Sequence, residues 1–592
     1  MGFSPDCDRE TPDGAGGPAG CGGDLPEEGK NGSPGLVEGA VPEAGGITGP
    51  DESGPGLDKP VSTFMGQPPR NRGRLLAWVL AGLVGLLLVG VLFYYLGNFA
   101  EPRVLNLVPA DTELVVCVKP NYLQQHNINK LIDTYLAIPA VKKAYDEKLK
   151  ELKDEEATDY ELDIRPWLGK EFALAIPRMD QPARAVAMIE YTSKAKAQAY
   201  LDKMNQKYQT TQVTYQGVPI SVDGGRTAMA LSGNYFVIAS DKELVERVID
   251  RQKGVLKDSI TQSPGYRKVR DNLPGRGSAF AYMKVTEEIK DEMKGSDNGL
   301  NFADQIDYQD IGISLSFESS GILTNYLVTT GKAPSFYKKR GTVKEEMKAT
   351  LELLPDDCIG FFHYSNLGGL FQEAIKGSMG DIGEVLKPIE SQLGISVQHD
   401  LLDILRGDVT MAVMPQHGSF FGERMAPISL ALAVGIKDQQ QAADSMDKVT
   451  SYLKQNRYRV NQRTAEGFQV YAVEGPYGND EFGVAMDKQQ LVLGSSSQLT
   501  DLMVNKHNPL GKSENYQKAF TPFSSDMEPL IYINVPKVMT MYEDSLSALG
   551  RSGFQSNVLP WFAPIKSLSL VDSGWNEQSG VIKGGIYLRI EK

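Results

Sequence analysis

From Leu75 to Leu96 the chain reads LLAWVLAGLVGLLLVGVLFYYL, with no charged residue in it. This run constrains the fold more than any other feature. At 1.5 Å per residue, about 20 apolar residues cross the hydrocarbon core of a bilayer. Lipid offers the backbone no hydrogen-bond partner, so the expected structure is one transmembrane helix over 75–96. Trp78 lies near one end and Tyr94 and Tyr95 near the other, where amphipathic rings favour the interface. A cleaved signal peptide fits poorly, because the run is long, starts far from Met1 and lacks a small-residue cleavage site. Arg70, Arg72 and Arg74 precede the run closely, and only Arg103 follows nearby. Basic residues stay on the cytoplasmic side. The expectation is therefore a cytoplasmic N-terminus, with residues 101–592 outside. The spacing of Ala81 and Gly85 offers a face on which two spans could pack.

The stretch before the run differs from everything after it. About 28 of residues 1–70 are Gly or Pro, and about 12 are acidic against 4 basic. So few large apolar residues cannot offset the chain entropy of folding, and 1–70 reads as a disordered acidic tail. The net charge of the whole chain is -14, which removes the basic stripe that nucleic-acid binding needs. The 4 cysteines, Cys7, Cys21, Cys117 and Cys358, form no CxxC pair, so neither a zinc site nor a redox motif is indicated. Whether Cys117 and Cys358 pair depends on the fold.

Beyond residue 100 the chain is written twice. LVPADTELVVCV from Leu107 returns as LLPDDCIGFFHY from Leu353, with Pro109 matching Pro355 and Asp111 matching Asp357. GKEFALAIP returns as GDVTMAVMP, and VAMIEYTSKAKAQAYLDKM as ALAVGIKDQQQAADSMDKV. GNYFVIASDKELVERVI returns as DKQQLVLGSSSQLTDLMV, Tyr266 matches Tyr516 and Tyr282 matches Tyr532. The preserved order makes coincidence a poor explanation. In the first copy, strands are expected at Leu114–Val118, Phe172–Ile176, Ala185–Tyr191, Ser278–Val285, Ile311–Phe317 and Leu323–Thr330. Two hairpins are expected, over 212–222 and 228–239. Helices are expected at Ile128–Leu152, Lys194–Tyr208 and, with Asp241 as cap, up to Gln252. The second copy closes on a strand at Ile586–Ile590. The fold class is α+β: two tandem modules, 101–340 and 341–592, each an antiparallel sheet covered by helices.

No chemistry-bearing motif survives inspection. His126, His363, His399, His417 and His507 show no metal-ligand spacing. No nucleophile elbow, phosphate loop or calcium loop is present. Ser193–Lys196 fits SxxK and Ser296-Asp297-Asn298 fits SDN, which resemble two signatures of serine penicillin-recognising enzymes. The third signature, KTG, is missing. SxxK also recurs at Ser335–Lys338 and Ser451–Lys454, and Ser193 falls where a helix needs an ordinary N-cap. The acidic cluster Asp154, Glu155, Glu156, Asp159, Glu161 and Asp163 reads as a solvated helix end. GSFFGER, between two strands of the second copy, has only MDQPA at the matching place in the first. Its Phe420 and Phe421 make a candidate contact loop. No catalytic, cofactor or metal-binding residue is assigned.

The apolar run, the Pro109-Ala110-Asp111 motif with its following β-run, and the twofold module together resemble the bacterial membrane-anchored family called domain of unknown function 3352. The resemblance covers residues 75–592. It implies bacterial origin and an envelope setting, here the cytoplasmic membrane with the body on the periplasmic side, and it brings no catalytic residues. The expected function is a non-enzymatic envelope protein whose duplicated module binds a partner or ligand, with a membrane among its partners. Two alternatives stand beside it: a membrane-tethered carrier of lipid or lipoprotein, and a hydrolase with an unrecognised site. The carrier would show apolar side chains lining a large cavity on both sheet and helices. The hydrolase would show clustered titratable groups in a polar cleft.

Overall fold

The computed structural model describes residues 102–591 apart from 157, 180–183, 225–226, 275–276, 295–305, 333–342, 366–389, 392–395, 397–398, 401–402, 416–427 and 506. No helix among the described residues is long and apolar enough to cross a membrane. The stretch 75–96, on which the expected span falls, lies outside the described residues, as do the tail 1–70 and the junction 333–342.

The strands of the first copy are β1 (Leu114–Val118), β2 (Leu168–Arg178), β3 (Arg184–Tyr191), β4 (Thr211–Tyr215), β5 (Val218–Asp223), β6 (Thr227–Ser232), β7 (Tyr235–Ala239), β8 (Ala279–Lys284), β9 (Tyr308–Glu318) and β10 (Gly321–Thr330). Those of the second are β11 (Gly360–Tyr364), β12 (Leu405–Pro415), β13 (Ile428–Ile436), β14 (Arg459–Ala465), β15 (Phe468–Glu474), β16 (Asp480–Met486), β17 (Gln490–Gly494), β18 (Glu528–Asn534), β19 (Ile565–Asn576) and β20 (Val581–Ile590). The helices used below are α1 (Tyr122–Leu136), α2 (Pro139–Glu156), α3 (Lys194–Tyr208), α4 (Lys242–Gln252), α5 (Pro264–Asn272), α6 (Glu287–Lys294), α7 (Val343–Leu353), α8 (Gln439–Gln455), α9 (Ser497–Val504) and α10 (Glu514–Phe520).

Two modules with separate sheets do not form. The described residues build one antiparallel sheet of 20 strands. Its order is β4-β5-β6-β7-β3-β2-β1-β8-β9-β10-β20-β19-β18-β11-β12-β13-β17-β16-β15-β14. The strand order of one half is the order of the other read from the opposite edge, and the last strands of the halves, β10 and β20, join them. The physical reason is the fate of strand edges. Each half alone would end on a bare row of backbone donors and acceptors along its final strand, and pairing β10 with β20 satisfies both rows at once. Every residue from Gly321 to Thr329 has a partner in β20. At this seam the ring of Tyr326 lies over its partner Gly584, where a Cβ would collide with it. The Tyr326 hydroxyl lies 3.2 Å from Asp572 Oδ2. The outer strands β4 (TQVTY) and β14 (RVNQRTA) are mostly exposed and polar, which blunts the two free edges.

One face of the sheet carries two well-packed cores. Under the first half, Leu244, Val245, Val248 and Ile249 of α4 and Tyr266 and Val269 of α5 meet Val115, Ala173, Met188 and Val237. Under the second, Leu499 and Met503 of α9 and Tyr516 and Ala519 of α10 meet Phe361, Ala412, Val470 and Tyr532. Glu171 is buried here, accepting from Val104 N at 3.1 Å, from the Tyr235 hydroxyl at 3.1 Å and from Lys119 Nζ at 2.6 Å. The single helix expected over 128–152 is two helices. Asn121 caps the first from its side chain, which accepts from Gln124 N at 2.8 Å. The break falls before Pro139, where a proline is tolerated only as a first helical residue. Helix α5, which opens Ser263-Pro264, also lies outside the expected elements.

If β10 needs β20, residues 102–332 expressed alone should self-associate through the bared edge. Light scattering over a concentration series should show dimers or larger species, and a clean monomer at all concentrations would contradict the role given to the seam.

A candidate apolar binding face

The opposite face of the sheet is apolar in an unusual way. Starting from Leu493, residues directly opposite one another run Leu493, Leu432, Met411, Phe362, Ile531, Leu570, Ile586, Thr324, Leu315, Ala279, Val118, Phe172, Ile189, Phe236 and Leu231. Side chains of paired residues share a face. One row therefore crosses the sheet from β17 to β6, roughly 65–70 Å at the usual strand spacing, and Thr324 is its one polar member. The neighbouring row through Tyr326, Ile313, Ala281, Val116, Leu174, Ala187, Ile238 and Met229 is apolar too, save for the Tyr326 hydroxyl.

Burial along this face is uneven. At the first-half end Val118 and Phe236 are fully covered by Leu201 and Met204 of α3 and by Trp167. Towards the second half the cover thins. Phe362 is 45% exposed, Met411 46%, Leu493 39%, Leu430 37% and Ile313 37%. Contiguous exposed apolar patches larger than about 400–600 Å² mark interaction surfaces.

The alternation that produces the face runs against the usual pattern. In β19 the serines Ser567 and Ser569 are fully buried while Leu568 and Leu570 are only partly buried. In β9 Gly312, Ser314 and Ser316 are buried while Ile311, Ile313, Leu315 and Phe317 face the open side. The small residues let helices sit close. The Ser569 hydroxyl donates to the Ala519 carbonyl of α10 at 2.6 Å, and the Ser314 hydroxyl donates to the Pro274 carbonyl at 3.2 Å. Those buried hydroxyls are satisfied by the backbone they pack against.

A polar cavity of about 440 Å³ lies elsewhere, lined among others by Thr112, Tyr282, Lys284, Lys290, Asp307 and Asp310. Its acids are engaged internally. The Tyr282 hydroxyl donates to Asp310 Oδ1 at 2.6 Å, the Thr329 hydroxyl to Asp310 Oδ2 at 3.1 Å, and Lys290 pairs with Asp307 at 2.9 Å. Burial, and then the Asp310 carboxylate, push the Tyr282 phenol far above its ordinary value, so it stays a neutral donor.

The sequence-level candidates fall as follows. Phe420 and Phe421 lie outside the described residues, in the connection between β12 and β13. Ser193 stands at the N-cap of α3 but makes no side-chain cap bond. Cys117 and Cys358 are both buried, and neither is in a disulfide. Burial pushes the Cys358 thiol up to about 12, which removes the thiolate that nucleophilic chemistry needs. His363 is fully buried, its Nδ1 2.7 Å from Thr410 Oγ1 and its Nε2 3.0 Å from Glu528 Oε1. His399 is exposed beside Asp403 at 3.0 Å. Among the described residues no group of three or more His, Cys, Asp or Glu could hold a metal ion. The apolar face was not anticipated from the sequence. Its signal is there in the serine–leucine alternation of SLSL at Ser567–Leu570, but which set faces a helix depends on strand pairings far apart in the chain.

Fold and face define a class: an antiparallel α+β body, doubled edge to edge, with helices packed on small residues and a broad apolar surface opposite. The family model described as "Protein of unknown function (DUF3352)" matches residues 75–590, and the chain belongs to that family. No curated protein matches it. Among solved structures, crystal form III of TP0453 shares 11% identity over 42% of this chain and 86% of its own, with a TM-score of 0.25. Crystal form I shares 10% over 43% and 85%, also at 0.25. Crystal form IV shares 11% over 39% and 81%, at 0.23. Values this low carry no argument about function.

Proposed function

We propose that this protein acts by binding rather than by catalysis, at the outer side of a bacterial membrane, and that its ligand is the hydrocarbon of a lipid laid on the open sheet face. The observation that carries the reading is the row of paired apolar residues from Leu493 to Leu231, exposed most at Phe362 and Met411.

The chemistry favours hydrocarbon over a polar ligand. Backbone donors and acceptors of the central strands are consumed by the ladders on either side, so the face presents little that could orient a sugar or a peptide by hydrogen bonds. Each methylene moved from water onto such a surface contributes about 0.8 kcal/mol. A few of them outweigh the ordering of one chain, and no ion pair has to be broken. The charge-free stretch Leu75–Leu96 supports a membrane setting for the same body.

Phe362 and Met411 allow a clean test, because aspartate at so exposed a position stays solvated and the fold should stand. Phe362→Asp with Met411→Asp should weaken binding of a fluorescent fatty acid at least about tenfold, or 1.4 kcal/mol. Unchanged affinity in a folded double variant would remove the face from the account. In the same preparation, membranes washed in carbonate should retain the full chain, and its release would remove the membrane part of the reading.

A further inference from the structure

Leu96 closes the charge-free stretch, and the described body begins at Pro102. Six residue steps, even fully extended, reach only about 20 Å. The chain joins the body at a defined place. Val104 N donates to Glu171 Oε2 at 3.1 Å, and Lys119 Nζ lies 2.6 Å from Glu171 Oε1. Lys119 follows the last residue of β1, and Tyr235, whose hydroxyl also reaches Glu171, opens β7. The junction is therefore at the end of the sheet where β1 finishes and β7 begins.

Hydrogen bonds trace that same end across the joint of the two halves. Gln124 Oε1 of α1 accepts from the Ser278 hydroxyl, next to the start of β8, at 2.9 Å, and from Phe317 N, near the close of β9, at 2.5 Å. Ile590 N, at the close of β20, donates to the Ser320 carbonyl at 2.8 Å. Glu591 N donates to the Pro564 carbonyl at 2.9 Å. Pro564 follows the helices Ala548–Asn557 and Leu559–Phe562 and precedes β19.

This end is apolar on the outside. Tyr122 is 77% and Leu123 64% exposed at the start of α1, and Trp561 and Phe562 are each 39% exposed. Between them lies α2, packed against α1 and the helix Leu559–Phe562. Val141, Tyr145 and Leu149 fall at i, i+4 and i+8 of α2, so they form one stripe. The stripe is buried at Val141 and open at Tyr145 and Leu149. Lys142 pairs with Asp146, Lys143 with Glu147 and Lys148 with Glu151, so the charges of α2 largely cancel along the helix.

We propose that this end of the sheet faces the membrane, and that α2 and the helix Leu559–Phe562 lie in its headgroup layer, with Tyr122, Leu149, Trp561 and Phe562 at the hydrocarbon boundary. This rests on the membrane setting proposed above and gives the body its orientation. The occupant follows from the reach of the chain. These side chains stand at the end of the body held within about 20 Å of the charge-free stretch, which leaves little room there for a protein partner. Amphipathic helices bury one stripe at the acyl boundary, and tryptophan and tyrosine favour that depth. Cancelled charges fit zwitterionic lipid as well as anionic. The apolar row passes through Val118 at the close of β1 and Ala279 at the opening of β8, so its first-half portion lies beside the bilayer.

The test uses the full chain in phosphatidylcholine nanodiscs. With Cys7→Ser and Cys21→Ser, only buried cysteines remain. A polarity-sensitive fluorophore is attached at Leu149→Cys, Trp561→Cys or Glu577→Cys in separate chains. Glu577 lies in the turn after β19, about 40 Å along that strand from Trp561. Lipid spin-labelled near the headgroup should quench the first two sites about twofold or more and leave the third unchanged. Either of the first two carries the test if the other does not fold. Quenching of all three alike, or of none, in chains that stay with the nanodiscs would overturn the orientation and leave the membrane setting standing. A folded chain that separates from the nanodiscs would overturn both.

Discussion

The pairing of β10 with β20 is the constraint on which the rest of the structure depends. Without it each half is a ten-strand sheet with a bare final edge. With it, the backbone of both final strands is satisfied, and the two halves become one surface. The apolar row crosses that joint at Thr324 and Ile586, so the continuity of the face exists only because the seam does. Tyr326 resting on Gly584 shows how closely the seam is fitted, since the ring occupies the space that any larger partner would need. A cleft between two separate sheets, which duplication alone would suggest, has no place in this arrangement.

Helices on one side and open hydrocarbon on the other follow from where the small residues fall. Serine and glycine in β9 and β19 leave room for α5 and α10 to approach, and the hydroxyls of Ser314 and Ser569 find carbonyls on the adjoining backbone. The larger Ile and Leu side chains of the same strands are left for the far side. In water a sheet with this pattern needs something to cover that side, and in the first half Trp167 and α3 do so for part of its width.

Much of the local structure is legible in the sequence. Leu114–Val118, Lys194–Tyr208 and the Asp241 cap, which accepts from Leu244 N at 3.0 Å, follow from runs, periods and capping chemistry within a few residues of each other. The break at Pro139 and the start of α5 at Pro264 carry equally local proline signals, obscured by long charged runs that suit a helix on either side. What the sequence does not carry locally is which strand meets which. The β10–β20 partners lie more than 250 residues apart, and only their pairing decides that Ser567 and Ser569 turn towards helices while Leu568 and Leu570 turn outwards. An alternation of polar and apolar residues normally puts the apolar set in the core, and here that reading assigns the wrong face. The candidate site was hidden for the same reason.

The central claim is that the open face holds lipid hydrocarbon, and the most direct measurement is of what the purified protein carries. Full-length chain should be exchanged out of its extraction detergent into an amphipathic polymer, extracted with organic solvent, and the extract quantified by mass spectrometry against protein. A lipid species retained near one per chain in the wild type, and depleted when Phe362 and Met411 are both aspartate, is the result expected. A folded wild-type chain whose lipid content is negligible, or equal to that of the double variant, would contradict the account.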